Sequence, residues 1–132
     1  MNVNNWHFSG NLTEAPTLNR TQSGKSVCNF TVAVNHQKKQ GDQWVDDGSD
    51  FARVSVWGRL GENLAESLHK GDLVKVEGRL RTRTYTTRDG RDGTSLDVTA
   101  DAVYPVGDFA TFSITRNPKS NTGYRNDNND GY

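Results

Sequence analysis

Apolar side chains in this chain recur at every second residue, and that period rules out a helical fold for most of it. Trp6, Phe8, Gly10 and Leu12 alternate with Asn5, His7, Ser9 and Asn11, while Cys28, Phe30, Val32 and Val34 alternate with Asn29, Thr31, Ala33 and Asn35. The same period marks strands from Phe51 to Gly58 and from Leu73 to Tyr85. In a fifth strand, Leu96, Val98, Ala100 and Ala102 share one face against Asp97, Thr99 and Asp101. Clean alternation is the mark of antiparallel sheets with one wet face, so five antiparallel strands are expected. One helix is expected, in LGENLAESLHKG. There Leu60, Leu64 and Leu68 repeat every four residues, Lys70 sits toward the negative end and Gly71 is placed as a C-cap. It falls between the third and fourth strands, which is the order of an all-β, five-stranded OB-fold Greek-key barrel with one short helix. An SH3-like barrel has no such helix.

Two hairpin loops are expected beside the groove of such a barrel. Lys38 to Asp50 carries Trp44 among four aspartates, and Thr86 to Ser95 contains turn signals at Asp89-Gly90 and Asp92-Gly93. With 132 residues, 32% hydrophobic, and a mean hydropathy of -0.84, the chain supplies one core and leaves a segment outside it. The boundary is expected near Pro105 to Asp108, with residues 1–107 forming the domain and 108–132 a flexible C-terminal tail. Within that tail Phe109 to Thr115 has strand composition and reads as a late edge strand or an arm. Asn117 to Tyr132 lacks the apolar residues needed to pack, and Lys119 and Arg125 balance Asp127 and Asp130.

Sixteen basic residues balance sixteen acidic ones, so any nucleic-acid site must come from local charge segregation. No apolar run reaches the roughly 20 residues of a membrane span, and the N-terminus lacks the order of a signal peptide; a cytoplasmic location without membrane attachment is expected. Cys28 is the single cysteine, which excludes an internal disulfide and a zinc site of several thiolates.

The outward faces carry the functional signal. If Ala52, Val54 and Val56 point into the barrel, Phe51, Arg53, Ser55 and Trp57 point out. With Val74, Val76 and Leu80 inward, Lys75, Glu77, Arg79, Arg81, Arg83 and Tyr85 point out. Between Lys75 and Arg91 six basic residues meet two acidic ones. Rings interleaved with guanidinium groups fit single-stranded nucleic acid, whose unpaired bases stack while cations follow the phosphates. Apolar packing against another subunit accounts for the rings but not for the arginines between them. No recognition helix for a duplex groove is evident.

At these residues the sequence resembles the bacterial single-stranded DNA-binding protein family. The resemblance rests on Gly10-Asn-Leu12, on Phe51 through Trp57-Gly-Arg-Leu, and on Gly71-Asp-Leu-Val-Lys-Val-Glu-Gly-Arg-Leu-Arg-Thr-Arg83, and it covers about Val3 to Val106. It implies a homo-oligomer, a tetramer in the family, that wraps single-stranded DNA without cofactor or catalysis in replication, recombination and repair. A chromosomal, phage or plasmid version fits, acting in the cytoplasm of a bacterial or phage-infected cell in association with the nucleoid. The family's stacking aromatics carry over to Phe51, Trp57 and Tyr85. A further family aromatic corresponds to about Lys38, with Trp44 as its substitute, and a dimer-interface histidine corresponds to Ala52. The family's acidic tail tip recruits replication and repair proteins; here the end reads Asn-Asp-Asn-Asn-Asp-Gly-Tyr132. The expected DNA-contacting set is therefore Phe51, Arg53, Trp57, Lys75, Arg79, Arg81, Arg83, Tyr85, Trp44 and Lys38. The alternative is an OB-fold protein-interaction module of a replication or primosome assembly with weak nucleic-acid binding.

Other signals carry less. Asn19 to Ser26 imitates a phosphate-binding loop, but Asn19 replaces the first glycine and a strand follows instead of a helix. Asp42, Asp46, Asp47 and Asp50 miss the spacing of a calcium loop. His7, His36 and His69 are scattered without a nucleophile beside them, so no enzyme is expected.

Overall fold

The computed structural model describes residues 4–118. Its elements are β1 (Trp6–Leu12), β2 (Thr17–Arg20), β3 (Ser26–Gln40), β4 (Gln43–Trp57), α1 (Gly58–Ser67), β5 (Leu73–Thr86) and β6 (Asp92–Pro105). Strands β1, β5, β6, β4 and β3 are hydrogen-bonded in that order. Asn11 and Leu12 of β1 then pair with Ala33 and Val32 of β3, which closes a five-stranded barrel of the OB type. The chain leaves β1 at Thr13 and resumes on β3 as the short β2, where Thr17 lies opposite Asn29. The alternation missed β2 because all four of its residues are exposed.

In the barrel portions of β3 (Ser26 to Val32), β4 (Ala52 to Val56) and β5 (Val74 to Gly78) the even-numbered residues point inward as their alternation requires. Cys28, Phe30, Val32, Ala52, Val54, Val56, Val74 and Val76 form one core with Leu12, Leu64, Leu68, Val98, Ala100 and Val103. Each large side chain buried there contributes about 1.5–3 kcal/mol. Burial pushes the Cys28 thiol above its ordinary pKa, which leaves it a packing group and not a reactive one. Close approaches to backbone require glycine at Gly10, Gly61 and Gly78. A methyl on Gly10 would overlap the Ala33 carbonyl where β1 meets β3, and one on Gly61 would overlap the Val56 carbonyl where α1 meets the barrel.

Several expectations change. The strands are not all antiparallel, since β4 and β6 pair in parallel from Ala52 opposite Leu96 to Ser55 opposite Thr99. These neighbours are separated in sequence by β5, and two reversals of direction return the chain to its starting sense. Lys38 to Asp50 is not a loop. β3 and β4 continue as a ribbon until Gln40 faces Gln43, so that Gly41 and Asp42 alone make the turn. Asp92-Gly93 likewise lies in β6, because Thr87 closes the turn at Arg91 first.

The helix spans Gly58–Ser67 and stops before Lys70 and Gly71. Asp72 ends it, its carboxylate accepting from the His69 amide at 2.8 Å while its own amide donates to the His69 carbonyl at 3.1 Å. Gly71 serves that turn, at φ 90°, and does not cap the helix. In β6 a bulge sets Glu77 opposite Ala102 but Gly78 opposite Ala100. The extra residue shifts the inward register from even to odd, so Val103 is buried and Ala102 only partly so. Residues 109–115 form no strand, and Phe109 and Ile114 are exposed.

Asn4 lengthens the barrel beyond β1 with its side chain. Its Nδ2 donates to the Leu80 carbonyl at 2.8 Å, and the Leu80 amide donates to its Oδ1 at 3.2 Å. Asn4→Ala is expected to cost about 1 kcal/mol, seen as a fall of several degrees in the thermal unfolding midpoint. An unchanged midpoint would show that water replaces both bonds without loss.

Candidate nucleic-acid interface

Ladder register decides which outward side chains share a surface. On β4, Phe51, Arg53, Ser55 and Trp57 lie opposite Ala33, Thr31, Asn29 and Val27 of β3. Across the parallel pair Arg53 lies opposite Asp97, and Asp97 in turn lies opposite Arg81 of β5. Arg79, Arg83 and Tyr85 follow on the same face, opposite Thr99, Ser95 and Gly93. One surface of the barrel thus gathers three rings and four arginines from two strands. The rings are open to solvent: Phe51 is 57% exposed, Trp57 47% and Tyr85 49%. Trp57 owes its place to Gly58, whose φ of 77° turns the chain from β4 into α1 and leaves the indole at the rim. Tyr85 lies across Gly93, where a methyl would overlap its ring.

Trp44 joins this face through a bulge. Between Asn35 and Gln37 of β3, strand β4 carries one extra residue, with Gly48 at φ 89°. The insertion inverts the parity, so the even-numbered Trp44, opposite Lys39, falls on the side of the odd-numbered Phe51. Lys38 faces Val45 on the other side of the ribbon and is ion-paired to Asp47 at 3.7 Å. Lys75 lies opposite Ser9 and Tyr104, six residues or about 20 Å along β5 from Arg81. The structure therefore brings Phe51, Arg53, Trp57, Arg79, Arg81, Arg83, Tyr85 and Trp44 to one face and sets Lys38 and Lys75 apart from it.

The charges are less free than the sequence suggests. Arg83 is paired with Asp97 at 3.3 Å, Arg79 with Asp101 at 4.0 Å, and Arg91 with Asp89 inside its own turn at 3.1 Å. The Thr87 hydroxyl, first among several hydrogen bonds, holds the Asp89 carboxyl below its ordinary pKa. Among the described residues, Arg53 and Arg81 have no carboxylate within ion-pair distance. Counting charges along β5 missed the aspartates, because they lie in the next strand and meet the arginines only through pairing.

A groove of about 420 Å³ opens in this face, lined by Thr13, Glu14, Asn29, Thr31, Arg53, Ser55, Arg83 and Asp97 among others. Its walls are mainly polar residues from five strands and the β1–β2 connection, with Ala15, Phe30 and Val54 among them. Sequence reasoning did not single out Thr13, Glu14, Asn29 or Thr31. The usable signal was the outward position of Asn29 and Thr31 on either side of Phe30. Hydrogen bonds tie side chains at its floor: Ser55 donates to Asn29 Oδ1 at 2.9 Å, and Ser95 donates to Asp97 Oδ1 at 2.7 Å.

Residues 3–106 match the model of the single-strand binding protein family. A single-stranded DNA-binding protein from Paenarthrobacter aurescens is 40% identical over 114 residues, covering 85% of this chain and 67% of that protein. One from Corynebacterium glutamicum is 41% identical over 112 residues, covering 83% of this chain and only half of its own length. The crystal structure of a small single-stranded DNA-binding protein from Streptomyces coelicolor superposes with a TM-score of 0.71 at 31% identity, over 80% of this chain and 96% of that one.

Proposed function

The chain belongs to the single-strand binding protein family, and on that premise we propose that it binds single-stranded DNA with little regard to sequence. The observation that carries this reading is the shared face: Phe51, Trp57 and Tyr85 stand exposed beside Arg53 and Arg81, which have no carboxylate within ion-pair distance among the described residues. Unpaired bases stack on the rings and the guanidinium groups follow the backbone. Trp44 extends the stacking row along the ribbon, and Arg79 and Arg83 contribute once their aspartates yield. Lys38 and Lys75 contact only DNA that continues beyond this face.

In this reading the protein coats DNA exposed during replication, recombination and repair, without catalysis. It works as a homo-oligomer, a tetramer as in the family, in the bacterial cytoplasm. The family's recruitment of repair and replication partners through an acidic tail tip is not carried into this reading, because the end here reads Asn-Asp-Asn-Asn-Asp-Gly-Tyr132; those residues lie outside the described ones. No helix among the described residues is long and apolar enough to cross a membrane. A competition experiment tests the reading: at moderate salt, unlabelled single strands should displace a labelled oligothymidylate far better than the same length of duplex. Equal displacement would reduce the face to a general polyanion surface. No binding would leave the protein-interaction alternative.

A further inference from the structure

Tyr85 ends the outward row of β5, after Arg79, Arg81 and Arg83, and the residue directly opposite it in β6 is Gly93. The outward row of β6 runs Thr99, Asp97, Ser95 and Gly93, so the one position without a side chain is the one that faces the ring. The backbone does not ask for glycine there. Gly93 lies outside the left-handed region, and the turn that joins the two strands uses Gly90, at φ 86°. A glycine inside a strand weakens it, and often marks a place where something must approach the backbone closely. Here that something is the tyrosine.

The atoms that a methyl on Gly93 would strike are Cζ, Oη and Cε2 of Tyr85, all in the outer half of the ring. At Gly10, Gly61 and Gly78 the obstacle is a backbone carbonyl, which cannot yield, whereas at Gly93 it is the far end of a side chain, which can. Alanine would therefore move the ring and spare the strand. The hairpin end is tied in register around this pair. Thr86 Oγ1 donates to Asp92 Oδ1 at 3.0 Å, the Thr87 amide donates to the Arg91 carbonyl at 2.7 Å, and the Arg91 amide donates to Thr87 Oγ1 at 3.1 Å. An exposed aromatic side chain loses rotational freedom when a base stacks on it, and a ring already laid down loses less. We propose that Gly93 is a positioning residue for single-strand binding: its bare backbone seats the Tyr85 ring, half exposed and in line with the arginines of β5, before DNA arrives. The inference rests on the single-strand-binding reading and adds to it a residue that never touches the DNA.

Labelled oligothymidylate titrated into the full chain at fixed salt, read by anisotropy, is the test, with thermal unfolding beside it. Gly93→Ala should weaken binding by roughly two- to tenfold, the fold-change that corresponds to ordering one side chain. The same variant should unfold at an equal or slightly higher temperature, because alanine removes glycine's extra freedom in the unfolded chain. Its salt dependence should stay the same, since no phosphate contact is lost. In a Tyr85→Ala background, Gly93→Ala should cause no further loss. Unchanged affinity in Gly93→Ala overturns the inference. An equal loss in both backgrounds also does, for the methyl would then obstruct the DNA itself. A fall of several degrees in the unfolding temperature, or failure to fold, would make Gly93 a requirement of the hairpin and not of the ring. Tyr85→Ala that binds as well as the unsubstituted chain removes the ring's part, and the seat with it, while leaving single-strand binding intact. Failure of the unsubstituted chain to bind would instead overturn the single-strand-binding reading.

Discussion

Replacing Phe51 and Trp57 together with Ala should weaken binding of oligothymidylate by about 2–6 kcal/mol, or roughly 30-fold to more than 10⁴-fold. Each ring stacked on a base contributes about 1–3 kcal/mol. The two stand about 20 Å apart on β4, beyond the range at which substitutions usually couple, so their losses should nearly add. Both are about half exposed, and truncating them removes little from the core. Stability should therefore change by less than about 0.5 kcal/mol each. Anisotropy of a labelled oligomer at constant salt measures the loss, and thermal unfolding checks the fold. A loss below about 0.5 kcal/mol in the double variant would mean that DNA does not stack on this face.

Arg81→Ala combined with Arg83→Ala should flatten the dependence of log affinity on log salt by about 1.4, at 0.7 for each phosphate contact on a single strand. At about 0.1 M salt that corresponds to roughly 2 kcal/mol. The two arginines are not equivalent. Arg81 meets no carboxylate among the described residues, whereas Arg83 must leave Asp97 at 3.3 Å before it serves a phosphate. Arg83→Ala alone also uncovers the Asp97 charge, so its affinity loss should exceed what its slope change accounts for. The pair should weaken oligomers of every composition alike. A loss confined to one base would show that these arginines read bases.

The barrel was legible because its core obeys one rule: the even-numbered apolar residues of β3, β4 and β5 are the buried ones. The rule fails wherever one residue is inserted. The bulge in β6 moved the inward position from Ala102 to Val103, and the one at Gly48 brought Trp44 round to the face of Phe51. Neither leaves a mark in composition, since a bulge is fixed by pairing with a neighbouring strand. The helix end was misplaced for a similar reason. Gly71 looks like a cap in isolation, but Asp72 captures the His69 amide and stops the helix sooner. The rings and arginines of the site were readable one strand at a time. The groove was not, because Glu14, Asn29, Arg53 and Asp97 meet only when the barrel closes.

Stacking of bases on Trp57 and its neighbours is the central physical claim, and intrinsic tryptophan fluorescence tests it most directly. Titration with oligothymidylate should quench the emission to a plateau while the anisotropy of the labelled DNA rises in step. Most of that quenching should disappear in Trp44→Phe with Trp57→Phe, which leaves Trp6 of β1 as the remaining indole. DNA that binds, by anisotropy, with no change in the emission of the unsubstituted protein would contradict it.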